Sequence, residues 1–268
     1  MKYFLGIDAG SSYIKLALID TAGNMTAKSI IKRGADIDAS CRQSYADLLS
    51  EFKIAKDHIV GVIATGYGRK QVSFCDEGIT EITALAIGGF AVDNGVRAII
   101  DIGGQDSKVI AIDESGRVVD FVMNQKCSAG TGKFLEVTSA SLGVKVDELD
   151  RLSRQADKVL NLSSTCTVFA ETEIISYIAM GEKKENIIKS LHSAISDQVI
   201  GLFRQVAAGD KGKILFVGGV SLNKAMTREL STRLNRELLV PQHSQYIGAY
   251  GAALCLKGEK ENLRSPDN

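Results

Sequence analysis

The strongest constraint on the fold of this chain is a pattern of five residues that occurs twice. Asp, Gly, Lys, Asp and Gly stand at offsets of 0, 2, 7, 12 and 15, counted first from Asp8 and again from Asp101. The two sets are Asp8, Gly10, Lys15, Asp20 and Gly23, and then Asp101, Gly103, Lys108, Asp113 and Gly116. Each set lies in a strand–turn–strand–turn–strand pattern, and such self-similarity indicates an internal duplication. We therefore predict an α/β protein of two duplicated lobes.

The second copy begins near Val96, so we divide the chain into residues 1–95, residues 96–257 and a charged tail, 258–268. Hydrophobic periodicity and turn signals predict the elements within each lobe. In the first lobe we expect three strands within 2–31, a strand at 60–64 and helices at 39–53 and 80–94. In the second we expect strands at 117–123, 213–217 and 237–240, and helices at 129–142, 167–180, 185–208, 222–235 and 246–257.

The charge balance excludes several classes of partner. The 32 basic and 32 acidic residues cancel, which leaves no general electrostatic reason to bind nucleic acid or an anionic membrane.

The N-terminus enters a strand directly, without the pattern of a signal peptide. No apolar run approaches the length of a bilayer span. We expect a cytoplasmic protein that binds neither nucleic acid nor membrane.

Two glycine-containing turns, at 8–12 and 101–106, each follow an apolar strand. Glycine allows a tight turn whose N–H groups approach phosphate oxygens, and aspartates at the strand ends can bind hydrated Mg²⁺ or orient a water. One such turn is weak evidence, because Asp-x-Gly is common in ordinary hairpins. Two related turns predict a cleft with a phosphate loop on each wall. Gly218 and Gly219, after the apolar strand 214–217, suit the nucleoside end.

This arrangement resembles the actin, hexokinase and Hsp70 ATPase superfamily, whose lobes share a ribonuclease H-like fold and close on ATP. The resemblance implies that Asp8 and Asp101 serve Mg²⁺, and that Gln105 orients the attacking water or senses the γ-phosphate. These three residues are the candidate catalytic groups. The residues implied in nucleotide binding are Gly10, Ser11, Ser12 and Lys15 on one side, Gly103 and Gly104 on the other, and Gly218 and Gly219 at the adenosine.

Five cysteines, an odd and widely scattered number, do not make a disulfide framework. Cys127 and Cys166 each precede a predicted helix. The N–H groups and dipole of a helix N-terminus favour a thiolate, and they equally favour an anionic iron–sulfur cluster. The other interpretation is a pair of buried thiols near helix caps, since cysteine is common in protein cores. The residues alone leave both interpretations open.

A closer resemblance covers residues 3–256 and is to the activators of 2-hydroxyacyl-CoA dehydratases. These belong to the BadF/BadG/BcrA/BcrD-type ATPases, which include ATPase subunits of benzoyl-CoA reductases. The stretches that carry the resemblance are 124–136, 163–173, Asp101-Ile102-Gly103-Gly104-Gln105-Asp106 and Ala64-Thr65-Gly66-Tyr67-Gly68-Arg69. That family often has Asp-Lys-Cys-Ala-Ala-Gly-Thr-Gly-Arg, and here Gln125, Ser128 and Lys133 depart from it. None of these departures removes a thiolate.

The resemblance implies an ATP-dependent one-electron-transfer activator with a [4Fe–4S] cluster, which uses ATP, ADP and Mg²⁺. A [4Fe–4S] cluster takes four thiolates, and Cys127 and Cys166 supply two per chain. Two chains around a two-fold axis supply four, so we expect a homodimer with one bridging cluster. The implied partners are a dehydratase-type or related reductase component, with ferredoxin or flavodoxin as electron donor. Cys41, Cys75 and Cys255 are then ordinary buried or partly buried thiols.

Two alternatives remain. A small-molecule kinase of the same superfamily would need no cluster, but no substrate domain is obvious and both cysteine stretches would go unexplained. A non-catalytic or assembly-forming actin-like protein would use the nucleotide as a switch. The isolated residues His58, His192 and His243 lack metal-ligand spacing, and we interpret them as surface or satisfied histidines.

Overall fold

The computed structural model describes residues 1–124, 131–162, 167–207 and 209–262, with the backbone alone for 167–170 and 259–262. It contains two compact units. The first comprises β1 (Tyr3–Ala9), β2 (Tyr13–Asp20), β3 (Met25–Lys32), α1 (Ile37–Glu51), β4 (Ile59–Thr65), β5 (Glu77–Gly78) and α2 (Glu81–Val92). The elements that follow are β6 (Val96–Ile102), β7 (Ser107–Ile112), β8 (Val118–Asn124), α3 (Gly132–Ser141), α4 (Leu149–Ser153), α5 (Thr167–Ala179), α6 (Lys184–Val206), β9 (Lys213–Val217), α7 (Lys224–Leu234), β10 (Leu238–Leu239) and α8 (Ile247–Asn262).

The described residues form two five-stranded sheets with the same strand order. The sheet of the first unit runs β3-β2-β1-β4-β5. The sheet of the second unit, given from the equivalent edge, runs β8-β7-β6-β9-β10. In each, the central strand is antiparallel to the strand that follows it and parallel to the strand on its other side. β1 and β6 therefore hold equivalent positions. The predicted duplication of a mixed α/β lobe is confirmed.

The register of the two hairpins explains the repeated residues. Asp8 pairs with Lys15 across β1 and β2, and Asp101 pairs with Lys108 across β6 and β7. At the following turn, a single aspartate accepts backbone N–H groups two and four residues further on in both copies. Asp20 accepts from Ala22 and Asn24, and Asp113 accepts from Ser115 and Arg117. Gly23 and Gly116 then adopt positive φ angles of 93° and 79°. The spacing thus encodes two hairpin turns in each copy.

The core of the first unit has two layers. One face of its sheet packs on α1 through residues that include Leu16, Cys41 and Leu48, all at most 1% exposed. The other face is covered by α8, which also packs on α2. Glycines permit this close approach, because a Cβ on Gly6 or Gly251 would overlap the backbone of a neighbouring element.

The core of the second unit is built around α6, whose apolar stripe follows the helical period. Leu191 and Ile195 are fully buried within one cluster that also includes Phe134 of α3 and Phe216 of β9. The same cluster takes in Leu149 of α4. The sheet of the second unit is thus anchored to α3, α4 and α6 through one shared hydrophobic cluster.

The structure departs from the predicted boundaries at the C-terminus. The chain from Gln245 onward groups with the first unit, together with Ile112–Val118, whereas the sequence analysis assigned residues 96–257 to the second lobe. The small residues of α8 explain this, because they suit close packing on β1 and α2. α8 also continues to Asn262, into the segment predicted as a tail. α4 is a short helix within 144–158, where no helix was predicted.

Across the described ranges, no helix has both the length and the apolar character that crossing a membrane requires.

Candidate active site

The turn between β1 and β2 holds the first set of predicted residues. Lys15 Nζ donates to Asp8 Oδ2 at 2.9 Å, and the two side chains are 19% and 16% exposed. The N–H of Gly10 donates to the carbonyl of Tyr13 at 3.1 Å, which closes the turn. Ser11 and Ser12 lie at its partly exposed tip. The turn therefore presents a paired carboxylate and ammonium beside backbone N–H groups.

Backbone borders the carboxylate of Asp8 on two further sides. Gly66, directly after β4, has φ +86°, and a Cβ there would lie 2.5 Å from Asp8 Oδ1. A Cβ on Gly248, in the first turn of α8, would lie 3.6 Å from Asp8 Oδ2. Thr65 Oγ1 is buried and has no hydrogen-bond partner within the described residues. Small residues thus keep side chains away from Asp8.

The turn between β6 and β7 repeats this geometry with one addition. Lys108 Nζ donates to Asp101 Oδ2 at 3.1 Å and to Asp106 Oδ1 at 2.8 Å. The N–H of Gly103 donates to the carbonyl of Asp106 at 2.9 Å, as Gly10 does to Tyr13. Gln105 is exposed at the tip. The second turn thus carries two carboxylates around one ammonium.

Gly218 is the counterpart of Gly66. It follows β9, has φ +85°, and leaves no room for a Cβ, which would overlap Asp101 Oδ1 and the carbonyl oxygen of Ile102. Its N–H donates to the carbonyl of Ser244 at 3.2 Å. The hydroxyl of Ser221 donates to the carbonyl of Gly218 at 2.7 Å. These contacts fix Gly218 against Asp101 and leave the next residue, Gly219, exposed.

The loop that begins at Gly218 is also fixed where it enters α7. Asn223 caps this helix by accepting the N–H groups of Ala225 and Met226, while its amide donates to His192 Nε2 at 3.0 Å. Because Nε2 accepts, the proton of the neutral ring lies on Nδ1. Burial lowers the pKa of His192 to about 4, which keeps the ring neutral at physiological pH. A buried neutral histidine therefore braces the loop.

Backbone hydrogen bonds join the second turn to α3. The N–H groups of Gly132 and Lys133 donate to the carbonyls of Gly103 and Gly104, both at 2.9 Å. These two donors belong to the first turn of the helix, where N–H groups have no partner within the helix itself. The turn is therefore bonded directly to the helix that follows the Cys127 stretch.

The structure brings the predicted nucleotide residues together as two sets. Asp8, Gly10, Ser11, Ser12 and Lys15 meet in the first unit, and Asp101, Gly103, Gly104, Gln105, Gly218 and Gly219 lie on adjacent loops of the second. Sequence reasoning gave no site role to Lys108, Asp106 or Gly66. The repeat itself contained a signal for Lys108, since it occupies the position of Lys15.

Cys127 and Cys166 lie outside the described residues. The helices predicted to follow them are present as α3 and α5. The predicted burial of the other three cysteines is confirmed, because Cys41 is buried and Cys75 and Cys255 are partly buried. Burial raises the pKa of the Cys41 thiol to about 12 and also raises that of Cys75. Both thiols are therefore protonated and unreactive at neutral pH.

Within the described ranges, no three His, Cys, Asp or Glu side chains cluster as a metal-binding group. Mg²⁺ in nucleotide sites commonly uses only one or two protein carboxylates together with water and substrate phosphates. An aspartate at the end of a central strand, as Asp8 and Asp101 each are, is a donor of that chemical type.

Comparisons with known proteins agree with this architecture. The model of the BadF/BadG/BcrA/BcrD ATPase family matches residues 5–255. The 2-hydroxyisocaproyl-CoA dehydratase activator of Clostridioides difficile is 36% identical over 267 residues, which cover 99% of each chain. The crystal structure of the (R)-2-hydroxyglutaryl-CoA dehydratase component A of Acidaminococcus fermentans superposes with a TM-score of 0.91, at 36% identity, over 97% of this chain and 100% of that one. The structure of the C. difficile activator with bound ADPNP gives a TM-score of 0.90 at 35% identity, over 99% of this chain and 98% of that one.

The fold is thus that of the actin-like ATPases, with a glycine-containing hairpin turn after the central strand of each of two duplicated units. Within that class, this chain belongs to the BadF/BadG/BcrA/BcrD ATPase family.

Proposed function

We propose that this protein is an ATP-dependent activator that passes single electrons to a 2-hydroxyacyl-CoA dehydratase-type partner. Its family and the names of its relatives support ATP-driven activation. The observation that carries the proposal is the pair of hydrogen bonds from Gly132 and Lys133 to Gly103 and Gly104. They connect a nucleotide-type turn to the segment that holds a candidate cluster cysteine.

In this proposal each turn handles one part of the nucleotide. Lys15 and the N–H groups of Ser11 and Ser12 bind phosphate oxygens, as glycine-containing turns commonly do, and Gly10, whose own N–H closes the turn, lets the backbone approach them. Asp8 and Asp101 hold the Mg²⁺ that accompanies ATP. Gln105, exposed at the tip of the second turn, orients the attacking water or senses the γ-phosphate.

Gly218 and Gly219 approach the adenosine, and the His192–Asn223 hydrogen bond keeps their loop in place. A braced loop costs less conformational entropy to order when the ligand binds. The second unit therefore contributes both a carboxylate and a pre-shaped backbone segment.

Cys127 and Cys166 are the candidate ligands of a [4Fe–4S] cluster. When bound, such a cluster supplies a one-electron redox centre. Its usual four thiolates match two from each of two copies, so the proposed assembly is a homodimer. Cys41 and Cys75 do not suit the role, since both are protonated, as their raised pKa values indicate, and both lie within the first unit.

The bonded turn and helix give a route for coupling. A nucleotide that shifts the carbonyls of Gly103 and Gly104 also shifts the first turn of α3, because the hydrogen bonds are direct. Coupling of this kind needs an element with two arrangements that both ligands bias. α3 is the candidate element, and the residues just before it lead back to Cys127.

The proposed electron donor is a ferredoxin or flavodoxin, and the acceptor is the partner's own redox centre. The balanced net charge and the expected cytoplasmic location agree with small soluble partners. Nucleic acid and membrane have no part in this function.

The proposal is tested by purifying the full-length protein without oxygen from a host that also makes its partner. We expect a brown homodimer with about two irons per chain, ATP hydrolysis, and ATP-dependent reduction of the co-purified partner. A colourless monomer that phosphorylates a small molecule would instead support the kinase alternative. ATP-dependent filaments without iron would support the assembly-forming one.

A further inference from the structure

The lysines at equivalent positions of the two turns have different surroundings. Lys15 is 19% exposed and is bonded to Asp8, whereas Lys108 is 2% exposed and is bonded to two carboxylates. The difference traces to one position of the repeat. Where the first turn has Tyr13, which is 39% exposed, the second has Asp106. The duplicated lysines have therefore diverged.

Lys108 and Gly218 together restrain both oxygens of Asp101. Lys108 Nζ holds Oδ2, and the backbone of Gly218 lies against Oδ1. Asp106 is restrained in turn, because a Cβ on Gly103 would lie 2.8 Å from Asp106 Oδ1. The carboxylate of Asp106 accepts from the Lys108 ammonium, which also donates to Asp101.

We propose that Lys108 is a positioning residue that, together with Asp106, fixes the Asp101 carboxylate for catalysis, while its counterpart Lys15 serves the phosphates. This inference rests on the proposed function, which assigns Asp101 to the nucleotide. Lys108 acts through Asp101 and does not itself touch the substrate. Asp106 accepts a second hydrogen bond from the Lys108 ammonium and so holds that ammonium in a defined direction.

Charge explains why Lys108 is needed. Without its ammonium, two carboxylates of like charge would stand as neighbours with no cation between them, and they would repel each other. At least one of them would rotate away. Asp101 would then lose the orientation that Lys108 maintains.

The first test measures stability and needs no nucleotide. Urea unfolding of the wild type, Lys108→Met and the double variant Asp106→Asn/Lys108→Met is compared at neutral pH. We expect Lys108→Met to be the least stable of the three, because its two carboxylates repel each other without a cation between them. The double variant removes one carboxylate charge and should recover most of that loss. Lys108→Arg keeps the charge and provides a folded variant if Lys108→Met does not fold.

The second test measures ATP hydrolysis by the full-length protein, with Lys15→Met as the matched variant of the other turn. We expect Lys108→Met to lower kcat at least tenfold with a much smaller change in KM, and Lys108→Arg to keep part of the activity. Lys15→Met should act mainly on KM. The double variant should regain part of the lost kcat.

Two results would overturn the inference. One is a wild-type kcat in folded Lys108→Met. The other is a lost kcat with no recovery in the double variant or in Lys108→Arg, which would mean a packing role alone. The proposed function fails differently: the wild type itself would not hydrolyse ATP, although the stability recovered by the double variant would still report the carboxylate pair.

Discussion

Gly218 lies directly against the carboxylate of Asp101, with no space between them for a side chain. The contact joins the end of β9 to the end of β6 and so links the proposed adenosine loop to the proposed Mg²⁺ carboxylate. Gly66 makes the same contact with Asp8 in the other unit. Two equivalent contacts in one chain indicate that glycine is required after each of these strands.

Substituting Gly218 should therefore be severe. Gly218→Ala adds a positive-φ penalty of about 1–2 kcal/mol and an overlap that commonly costs about 1–3 kcal/mol more. Gly181→Ala is the matched control, since Gly181 has φ +75° with nothing within 4 Å. Urea unfolding should show the larger loss for Gly218→Ala, and ATP hydrolysis should fall only in that variant. Equal losses would mean that contact with Asp101 is unimportant.

His192 should make stability depend on pH. Its pKa is about 4 when folded and 6.5 ordinarily, so between these values the unfolded chain binds a proton that the folded one does not. Stability is therefore lost as pH falls from 6.5 to 4, by up to about 3 kcal/mol. His192→Gln can still accept from Asn223 and should remove this part of the pH dependence.

Exposed His58 supplies the control for that experiment. Urea unfolding at neutral and mildly acidic pH should give His58→Gln the same pH dependence as the wild type. An unchanged slope in His192→Gln would show that the buried ring does not control stability in this range.

The cysteines should divide into two classes. Cys127→Ser and Cys166→Ser should each lose most bound iron and partner reduction, because a thiolate ligand is removed. Cys75→Ser should keep both, since a hydroxyl can still donate to the carbonyl of Val72 as the thiol does at 3.0 Å. Iron analysis and visible absorbance measure the outcome. Full iron content in Cys166→Ser would contradict the shared-cluster proposal.

A proline at the first residue of α3 removes one of the two hydrogen bonds that join the second turn to this helix. Gly132→Pro deletes the N–H that donates to Gly103, and the extended Thr131 before it suits a following proline. Gly132→Ala adds the same Cβ but keeps the N–H. We expect ATP-dependent partner reduction to fall at least tenfold in the proline variant, with hydrolysis affected less. If both variants behave alike, the hydrogen bond does not transmit the nucleotide state.

The repeat made much of this fold predictable, because Asp–Gly–Lys spacing in a hairpin leaves few geometries open. Lys15 and Lys108 are both in register with their aspartates, as the common offset required. The environment of Lys108 was not predictable, because the hydrogen bond from its ammonium to Asp106 depends on how the turn closes in space. The packing of α8 with the first unit was also not predicted. Sequence order suggests that a last helix joins the lobe before it, and only its packing against Gly6 shows otherwise.

That placement of α8 has a consequence for biosynthesis. Gly6 and Ala84 are made early, yet the helix that covers them is made only after the strands and helices of the second unit. The first unit thus emerges from the ribosome with one face of its sheet bare, while nearly all of the second unit is already translated. We expect the later-made unit to complete its core first, in contrast to the usual N-terminal order. Ribosome-bound chains that end before Ile247 would then hold a folded second unit and an N-terminal sheet open to proteases or chaperones.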